Sequence, residues 1–283
     1  MSGYSKLNPE RRCSCIRTSQ KILIVGEETL KNLTAVTLHD EQAELFHHRY
    51  VSLIQDPYSS TFTYGRKKVQ SLLTEQLAAL GRGSHVLDVG CGTGFDVGHL
   101  NAMGFKVTGV EPSQAMRMIA QRDNPTSAIL DGNARSLPLD NESVHAVIAI
   151  EVLRYLENPV PALTEMARVL RPGGKLFVTA ASLWSANGYA LVNWVASRID
   201  IPTFAGLRQY FITSRKLHDT AVAVGFKNIE VHGLFFGPWH VLGRIAPSTV
   251  GPCLKRWEPL DDRIAKLGWL SDFSNHLILC ATR

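Results

Sequence analysis

The sequence predicts an α/β fold in which a seven-stranded, mostly parallel sheet carries helices on both faces. Three observations predict it. Strand-like apolar runs alternate with helical patterns from about residue 85 to the end of the chain. The run Val147-Ile-Ala-Ile150 is apolar throughout, which is typical of strands buried on both faces. The stretch VLDVGCGTG, residues 86–94, passes from an apolar strand through alternate glycines toward a helix, as at nucleotide-binding sites.

Local patterns place the individual elements. Asp56–Ser60 has turn chemistry, and Ser113 is expected to cap the helix that follows the second strand. Arg171–Gly174 predicts a tight turn into the fifth strand. The expected strands are His85–Val89, Lys106–Glu111, Ser127–Asp131, Val144–Ile150, Lys175–Ala180, Asn228–Phe236 and Asn275–Thr282. The expected helices are Asp40–Ile54, Arg66–Leu80, Ser113–Arg122, Pro161–Leu170 and Ser214–Val224.

The predicted organisation has three parts and two inserts. Within the N-terminal extension, residues 1–20 are expected to be disordered and Lys21–Gly26 to form a short strand. Both inserts are rich in aromatic residues and emerge where loops can cover a site. The parts are the extension and site-covering segment, residues 1–65, the core, residues 66–182, and the completion of the core, residues 183–283, with inserts at 183–213 and 237–274.

Composition limits the classes of function. The chain has 283 residues, of which 45% are hydrophobic and 19% charged, as in ordinary globular proteins. Lys and Arg number 30 against 25 Asp and Glu, and this mild excess is spread along the chain. A nucleic-acid partner is therefore not expected. The densest basic run, Arg66–Lys68, is interpreted as a solvated helix face.

Cysteine usage and hydropathy predict the compartment. Five cysteines in a chain without a signal-peptide pattern are typical of a reducing environment. No apolar run is long enough to span a bilayer, so we expect a cytoplasmic protein. Cys13 and Cys15 form a C-x-C pair, but no second pair lies nearby to complete a zinc site.

The glycine loop distinguishes two kinds of ligand. A dinucleotide fingerprint, G-x-G-x-x-G, requires glycine at the position that Phe95 occupies. Asp88 stands just before the loop, where a carboxylate would repel a pyrophosphate but attract a sulfonium or ammonium. Glu111 ends the second strand, where a carboxylate can accept hydrogen bonds from ribose hydroxyls. Asp131 ends the third strand, where it can hold an adenine amino group.

Several stretches, in the same order along the chain, carry a resemblance to a known family. They are VLDVGCGTG, VTGVEPS, DGNARSLPLDNESVHAV, EVLRYLENP and MARVLRPGGKLFV. Together they resemble the class I S-adenosylmethionine-dependent methyltransferases, especially the small-molecule branch with ubiquinone- and menaquinone-pathway enzymes. The resemblance is close over residues 66–182 and looser beyond them. It implies a Rossmann-like sheet with an antiparallel last strand and lid inserts, and S-adenosylmethionine as cofactor.

The resemblance also assigns roles to residues. Tyr64 and Arg66 lie on a segment that in similar enzymes folds over the cofactor; Arg66 is either a partner of the cofactor's carboxylate or an ordinary surface arginine. The other expected cofactor contacts are Asp88, Gly90, Cys91 and Gly92 at the methionine end, Glu111 and Pro112 at the ribose, Asp131, Gly132, Asn133 and Ala134 at the adenine, and Ile150 and Glu151 near the transferred methyl.

Two departures from the family pattern bear on catalysis. His145 opens the fourth strand, where it is interpreted as a structural residue. Metal-binding relatives carry Glu-x-x-Glu-His after the fourth strand, whereas this chain has Arg154 and Tyr155 at the last two positions. A cation and a phenol are unsuitable there, so no metal is expected.

The two inserts do not identify the substrate. Their aromatic residues either pack a subdomain or line a pocket for an apolar or aromatic acceptor. Basic residues beside apolar ones in the second insert allow a weak contact with a membrane surface. The aromatic residues are Trp184, Tyr189, Trp194, Phe204, Tyr210 and Phe211, and then Phe235, Phe236, Trp239, Trp257 and Trp269; the basic residues are Lys255, Arg256, Arg263 and Lys266.

Three functions compete at this point, and they share the cofactor. The first is methyl transfer to oxygen, nitrogen or carbon of a small molecule. The second uses the sulfonium to promote a cyclisation or elimination, and the third is a binding protein without turnover. If the acceptor has to lose a proton, Tyr155 is the first candidate as a positioning or proton-handling group, provided that Arg154 lowers its pKa, and His240 is the alternative base. Each of the two is otherwise interpreted as a structural residue. The sequence does not indicate an oligomeric state.

Overall fold

The computed structural model describes residues 35–188, 190–191, 194–195 and 209–283. The expectations for residues 1–20 and Lys21–Gly26 lie outside the described residues, as do Tyr189 and Phe204 of the first insert.

Seven strands form one sheet, in the order β3-β2-β1-β4-β5-β7-β6. Strands β1 to β5 are parallel, and β7 runs antiparallel to both β5 and β6. The predicted mostly parallel sheet with an antiparallel last strand is confirmed. The strands are β1 His85–Val89, β2 Lys106–Val110, β3 Ala128–Leu130, β4 Val144–Ala149, β5 Leu170–Ala181, β6 Lys227–Phe236 and β7 Ser274–Thr282.

Helices cover both faces of the sheet. On one face α5 and α6 pack through Leu163 and Leu217, and on the other α2 and α3 pack through Leu73 and Leu100, all four residues being fully buried. The helices are α1 Ala43–Gln55, α2 Thr61–Leu77, α3 Phe95–Ala102, α4 Gln114–Asp123, α5 Val160–Val169, α6 Ser214–Val224, α7 Trp239–Ile245 and α8 Pro247–Ala265, with 3₁₀ turns at Leu153–Tyr155 and Gly268–Phe273.

Two local expectations are confirmed and one is wrong. Ser113 caps α4 by accepting a hydrogen bond from the Met116 amide, at 3.2 Å. His145 is structural, because its Nδ1 accepts a hydrogen bond from the His85 amide at 3.0 Å. The turn predicted at Arg171–Gly174 is instead a bulge within β5, where the register against β4 shifts.

Helix α2 begins earlier than the sequence predicts. Ser60 Oγ accepts a hydrogen bond from the Thr63 amide, and Thr63 Oγ1 accepts one from the Ser60 amide, which forms a capping box. The helix therefore starts at Thr61 and carries Tyr64 and Arg66 within its second turn.

The basic run in α2 is not a solvated face, and that interpretation is wrong. Arg66 and Lys68 are only 4% and 7% exposed. Each of the three cations contacts a carboxylate: Arg66 pairs with Asp96, Lys67 with Glu258 and Lys68 with Asp262. Two of these acidic residues belong to α8, so the run holds the second insert against the sheet.

Most aromatic residues of the second insert pack its helices. Trp239 and Trp257 both donate their indole N–H to the Phe236 carbonyl, at 2.8 and 3.1 Å. Phe235 is fully buried. Trp269 differs, because it is 77% exposed. Packing of a subdomain thus accounts for most of this insert.

Candidate active site

The ends of four strands meet at one edge of the sheet. Asp88 lies near the end of β1, Glu111 follows β2 and Glu151 follows β4. Because β7 is antiparallel, its beginning lies at this same edge, and His276 pairs with Ala181 at the end of β5. The edge thus brings together three acidic residues that the sequence singled out and a histidine that it did not.

The glycine loop is tied to β2 through its backbone. The Gly90 and Cys91 amides both donate to the Val110 carbonyl, at 2.7 and 3.2 Å. The Gly92 amide donates to Glu111 Oε2 at 2.9 Å. Gly90 has a φ of 70°, and a Cβ there would lie 2.6 Å from Val152. Glycine is favoured at Gly90, because the backbone is left-handed there and a side chain would collide with Val152.

Glu111 is held in one orientation at the end of β2. Its second oxygen accepts a hydrogen bond from the Ser113 amide at 2.9 Å. The side chain is buried, and burial raises the pKa of its carboxyl although the two amide hydrogen bonds lower it. Pro112 contributes its carbonyl to Arg117, at 2.8 Å, and so fixes the turn after the strand. A fixed carboxylate at this position fits the predicted contact with a ribose.

Asp88 is a buried carboxylate that lacks a partner on one oxygen. It is 1% exposed, and its Oδ2 has no hydrogen bond within the described residues. Burial raises its pKa well above the ordinary value, Asp96 and Glu111 raise it further, and Arg66 lowers it. Asp96 Oδ1 is also buried and lacks a partner within the same part of the chain. This crowding of carboxylates favours a cationic ligand.

Arg66 reaches the site but already has a partner. Its guanidinium is ion-paired with Asp96 and lies 5.3 Å from the centre of the Tyr50 ring. Its Nε is buried and has no hydrogen bond among the residues that the structure describes. The interpretation of Arg66 as an ordinary surface arginine is wrong. Its pairing with a cofactor carboxylate stays a prediction, in which Asp96 would share the guanidinium.

Tyr64 is engaged elsewhere. Its hydroxyl donates to Asp261 of α8 at 2.8 Å, and its ring packs edge-on against Phe235 at 5.1 Å. The side chain is fully buried in the cluster that includes Val250 and Leu254. The structure thus uses Tyr64 to anchor the second insert and offers no support for its predicted contact with a cofactor.

The loop after β3 lies at the outer side of this edge. Asp131 pairs with Arg117 at 2.8 Å, and its side chain is 75% exposed. Asn133 Oδ1 accepts a hydrogen bond from the Arg135 amide at 2.9 Å. Ala134 is buried in the core. A Cβ on Gly132 would lie 2.9 Å from Pro138, so the loop is closely packed.

Cys91 and Ile150 belong to the core beneath the site. Both are buried in the same apolar cluster. Burial raises the pKa of the Cys91 thiol well above its ordinary value, and the charges of Asp88 and Glu111 raise it too. The thiol is therefore unreactive, and both residues support the loops around them rather than offering polar contacts.

Glu151 has an unusual backbone and two cationic neighbours. Its φ is 63°, a rare value for a residue with a side chain, and its amide donates to Thr179 Oγ1 at 2.7 Å. The carboxylate forms an ion pair with Arg154 and lies 3.1 Å from His276 Nδ1. Burial alone would raise the pKa of Glu151, but Arg154 and His276 hold it well below the ordinary value. Glu151 is therefore ionised.

The two residues proposed as bases from the sequence, Tyr155 and His240, lie in different surroundings. Burial raises the pKa of the Tyr155 phenol, and Glu151 and Glu111 raise it further, so that the lowering by Arg154 is outweighed. The expectation of a lowered pKa is wrong, which makes Tyr155 a poor base. His240 shares a hydrogen bond with Thr61 Oγ1, at 2.9 Å between Nδ1 and the oxygen.

The N-terminal residues cover the site from above. Asp40 caps α4 through the Ala115 amide, at 3.0 Å. His39 packs edge-on against Tyr155 at 5.3 Å, and Tyr50 of α1 stacks on Phe95 at 4.8 Å. Sequence reasoning expected a covering segment here but did not single out these side chains. Helix α1 and the residues before it thus lie across the glycine loop.

Metal ligands are not gathered anywhere in the described ranges. No group of three or more His, Cys, Asp and Glu residues in them has the arrangement of a metal site. Arg154, which follows β4, is held there by its ion pair with Glu151. Within the same ranges, no helix combines the length and apolar character that crossing a bilayer requires.

Comparison with known proteins identifies the domain that forms this edge of the sheet. Residues 87–178 match the family model described as "Methyltransferase domain". Residues 87–178 are a methyltransferase domain. The domain is of the S-adenosylmethionine-dependent type, so the predicted family and cofactor are confirmed at the level of the family.

Relatives of the methyltransferase domain cover part of the chain. An uncharacterised methyltransferase of Mycobacterium tuberculosis is 40% identical over 91 residues, which are 32% of this chain and 37% of that protein. A demethylmenaquinone methyltransferase of Renibacterium salmoninarum is 37% identical over 100 residues, 35% of this chain and 42% of that protein. The chain therefore spans less than half the length of these relatives.

Solved structures show the same fold around the methyltransferase domain. A methyltransferase of Thermotoga maritima, described as a possible histamine N-methyltransferase, has a TM-score of 0.56 and 20% sequence identity. The alignment covers 87% of this chain and 98% of that chain. The likeness extends well beyond residues 87–178, so the sheet and its helices form a methyltransferase fold.

Proposed function

We propose that this chain transfers a methyl group from S-adenosylmethionine to oxygen, nitrogen or carbon of a small apolar or aromatic molecule. The observation that carries the proposal is the buried Asp88 carboxylate beside the glycine loop of a methyltransferase domain. Two buried oxygens without a hydrogen bond, Asp88 Oδ2 and Asp96 Oδ1, fit the positive charge of the cofactor. A dinucleotide, whose pyrophosphate is negative, would add repulsion at the same place.

The residues that would hold the cofactor lie at this edge of the sheet. When bound, S-adenosylmethionine supplies a methyl group already activated on a positive sulfonium. Asp88 would face its positive end, Glu111 its ribose hydroxyls and the loop beginning at Asp131 its adenine. Because the methyl is activated in advance, the protein mainly has to align the acceptor and exclude water. Tyr50 and His39, which cover the cleft, would provide that exclusion.

The molecule that accepts the methyl group would lie on the side of the cleft formed by β5 and β7. Glu151, His276 and Phe235 border this side, and the Phe235 ring lies 6.4 Å from that of His276. Asn187 adds a buried amide nitrogen without a hydrogen bond in the described part of the chain. This side of the cleft thus combines an aromatic ring with a carboxylate, an imidazole and an amide, and pockets for small molecules commonly pair apolar walls with a few such polar groups.

Transfer of radiolabel tests the proposal. The purified chain is incubated with methyl-labelled S-adenosylmethionine and small-molecule extracts, and both labelled product and S-adenosylhomocysteine are measured. Appearance of both supports methyl transfer. Consumption of an acceptor without label transfer would favour cyclisation or elimination, and cofactor binding without any turnover would favour a binding protein. The methyltransferase relatives favour neither alternative.

Methyl transfer is expected to survive a chelator. Arg154 and Tyr155 stand where metal-dependent relatives carry ligands, and a guanidinium repels a divalent cation. The label-transfer rate should be the same with and without EDTA. A rate that falls in EDTA and returns on addition of magnesium or zinc would contradict this prediction.

Cofactor affinity is expected to rise with pH. The pKa of Asp88 is raised, so in the free protein its proton stays bound to a higher pH than usual. A bound cation favours the ionised form, so binding should tighten and release a proton as the pH rises through that raised pKa. Calorimetric titration with S-adenosylmethionine from about pH 5 to about pH 7.5 measures the change. Asp88→Asn should flatten the profile, and a wild-type affinity independent of pH would refute the assignment.

A further inference from the structure

We propose that His276, oriented by Glu151, is the proton acceptor of the reaction, an inference that rests on the proposed methyl transfer. His276 Nδ1 lies 3.1 Å from Glu151 Oε1. A carboxylate at this distance favours the imidazole tautomer with the proton on Nδ1. The other ring nitrogen, Nε2, then carries a lone pair that can accept a proton.

The Glu151 carboxylate is held rigidly enough for this role. Arg154 forms an ion pair with it and also donates to Gln209 Oε1 at 2.7 Å. The Thr179 hydroxyl fixes the backbone of Glu151 by accepting its amide hydrogen at 2.7 Å. Because the pKa of Glu151 is held well below its ordinary value, the carboxylate stays ionised beside the imidazole. An ionised carboxylate both orients the ring and stabilises the imidazolium that proton transfer would create.

The Nε2 atom of His276 lies beside helix α2. The structure shows no hydrogen bond to His276 Nε2 from any described residue, and the histidine side chain is 20% exposed. Helix α2 passes close to it at Gly65, where a Cβ would lie 3.2 Å from Nε2 and 3.3 Å from Phe235. Glycine at this position lets the helix pass beside the imidazole without a side chain pressing on Nε2.

The pair lies beside the site for the methyl donor. Strands β1, β4, β5 and β7 are successive neighbours in the sheet, so Asp88, Glu151 and His276 lie along one edge. Arg66 lowers the pKa of both carboxylates, so its guanidinium interacts with each of them. Gly65 precedes Arg66 on the same helix. His276 therefore lies at the edge of the sheet where the proposed site of the cofactor's charged end meets the β5–β7 side of the cleft.

During methyl transfer the acceptor would lose a proton to His276. A hydroxyl or ammonium acceptor gives its proton to His276 Nε2, and its oxygen or nitrogen forms a bond to the methyl carbon. The bond between that carbon and sulfur breaks, and its electron pair stays on sulfur. The imidazolium, stabilised by Glu151, then returns the proton to solvent.

Nuclear magnetic resonance on the free protein tests the tautomer without any acceptor. Long-range ¹H–¹⁵N spectra of ¹⁵N-histidine-labelled protein, recorded in mildly alkaline buffer and assigned with His276→Gln, report which ring nitrogen carries the proton. We expect the proton on Nδ1 in the wild type and a shift toward Nε2 in Glu151→Gln. The matched control is Glu230→Gln, which removes the carboxylate 3.1 Å from His232 Nε2 on the surface and should leave His276 unchanged. A proton on His276 Nε2 in the wild type would overturn the proposal.

Kinetics with the labelled cofactor gives a second readout. His276→Gln should lower kcat about 100-fold or more while the affinity for S-adenosylhomocysteine, measured by calorimetry, stays within about two-fold. His232→Gln is the control and should retain wild-type kcat. If Tyr155→Phe or His240→Gln takes the loss and His276→Gln does not, the dyad is not the base, although methyl transfer itself stands. Wild-type protein that binds the cofactor but transfers no label would instead contradict the proposed function.

Discussion

Replacing Glu111 by alanine is expected to weaken the binding of S-adenosylhomocysteine by about 1–3 kcal/mol, or roughly 5- to 150-fold. The substitution removes the carboxylate that would hold the ribose. It also removes the acceptor of the Gly92 amide, which positions the glycine loop. Both losses act on the cofactor side of the cleft, so the dissociation constant measured by calorimetry is the appropriate readout.

An exposed glutamate on the sheet provides the control for this substitution. Glu230 lies on β6 with its side chain 66% exposed, and Glu230→Ala should leave the dissociation constant unchanged. Circular dichroism should show that both variants keep the wild-type fold. Unchanged affinity in Glu111→Ala would mean that the ribose does not lie at the end of β2.

Replacing Gly94 by alanine should destabilise the fold more than any other substitution considered above. Gly94 has a φ of 80°, which disfavours a side chain. A Cβ at this position would lie 2.9 Å from Ala120 Cβ and 3.0 Å from Ala120 Cα of α4. We expect about 1–3 kcal/mol from the backbone conformation and a further loss of about 1–3 kcal/mol from overpacking.

Gly83 separates these two contributions. Its φ is also 80°, but no described atom lies within 4 Å of the position of a Cβ. Gly83→Ala should therefore lose only the backbone part. Urea denaturation of both variants measures the free energy of unfolding, and equal losses would show that close packing of the third loop glycine contributes nothing.

The cofactor side of the site could be predicted from the sequence because it depends on neighbours along the chain. Asp88 and Glu111 each follow an apolar run, and the carboxyl ends of parallel strands meet at one edge. Local pattern and order along the chain therefore suffice to bring these two carboxylates together. The structure adds what they do there, since the hydrogen bond from the Gly92 amide to Glu111 could not be read from spacing.

The acceptor side depends on contacts between distant parts of the chain. His276 reaches Glu151 only because β7 turns back antiparallel beside β5. The sequence shows a histidine at the start of a strand, a feature with no local signal for a catalytic role. A search for titratable residues at the beginning of the antiparallel strand would have found it.

Helix α8 explains why one expectation is wrong and why another has no support from the structure. Pro252 and Pro259 lie inside this helix. Because prolines in a sequence indicate helix ends, the sequence does not predict a helix in the second insert. Without that helix, nothing in the sequence supplies Glu258 and Asp261 as partners for the cations of α2 or for Tyr64. The basic run then resembles a solvated face, and Tyr64 appears available to a ligand.

The central claim is that a methyl donor, and not a dinucleotide, binds at the end of β1. Isothermal titration of the purified chain with S-adenosylhomocysteine tests it most directly, with NADH titrated in parallel. We expect saturable binding of S-adenosylhomocysteine and none of NADH, because the negative surroundings of Asp88 favour a positive group and oppose a pyrophosphate. Tight binding of NADH with no binding of S-adenosylhomocysteine would contradict it.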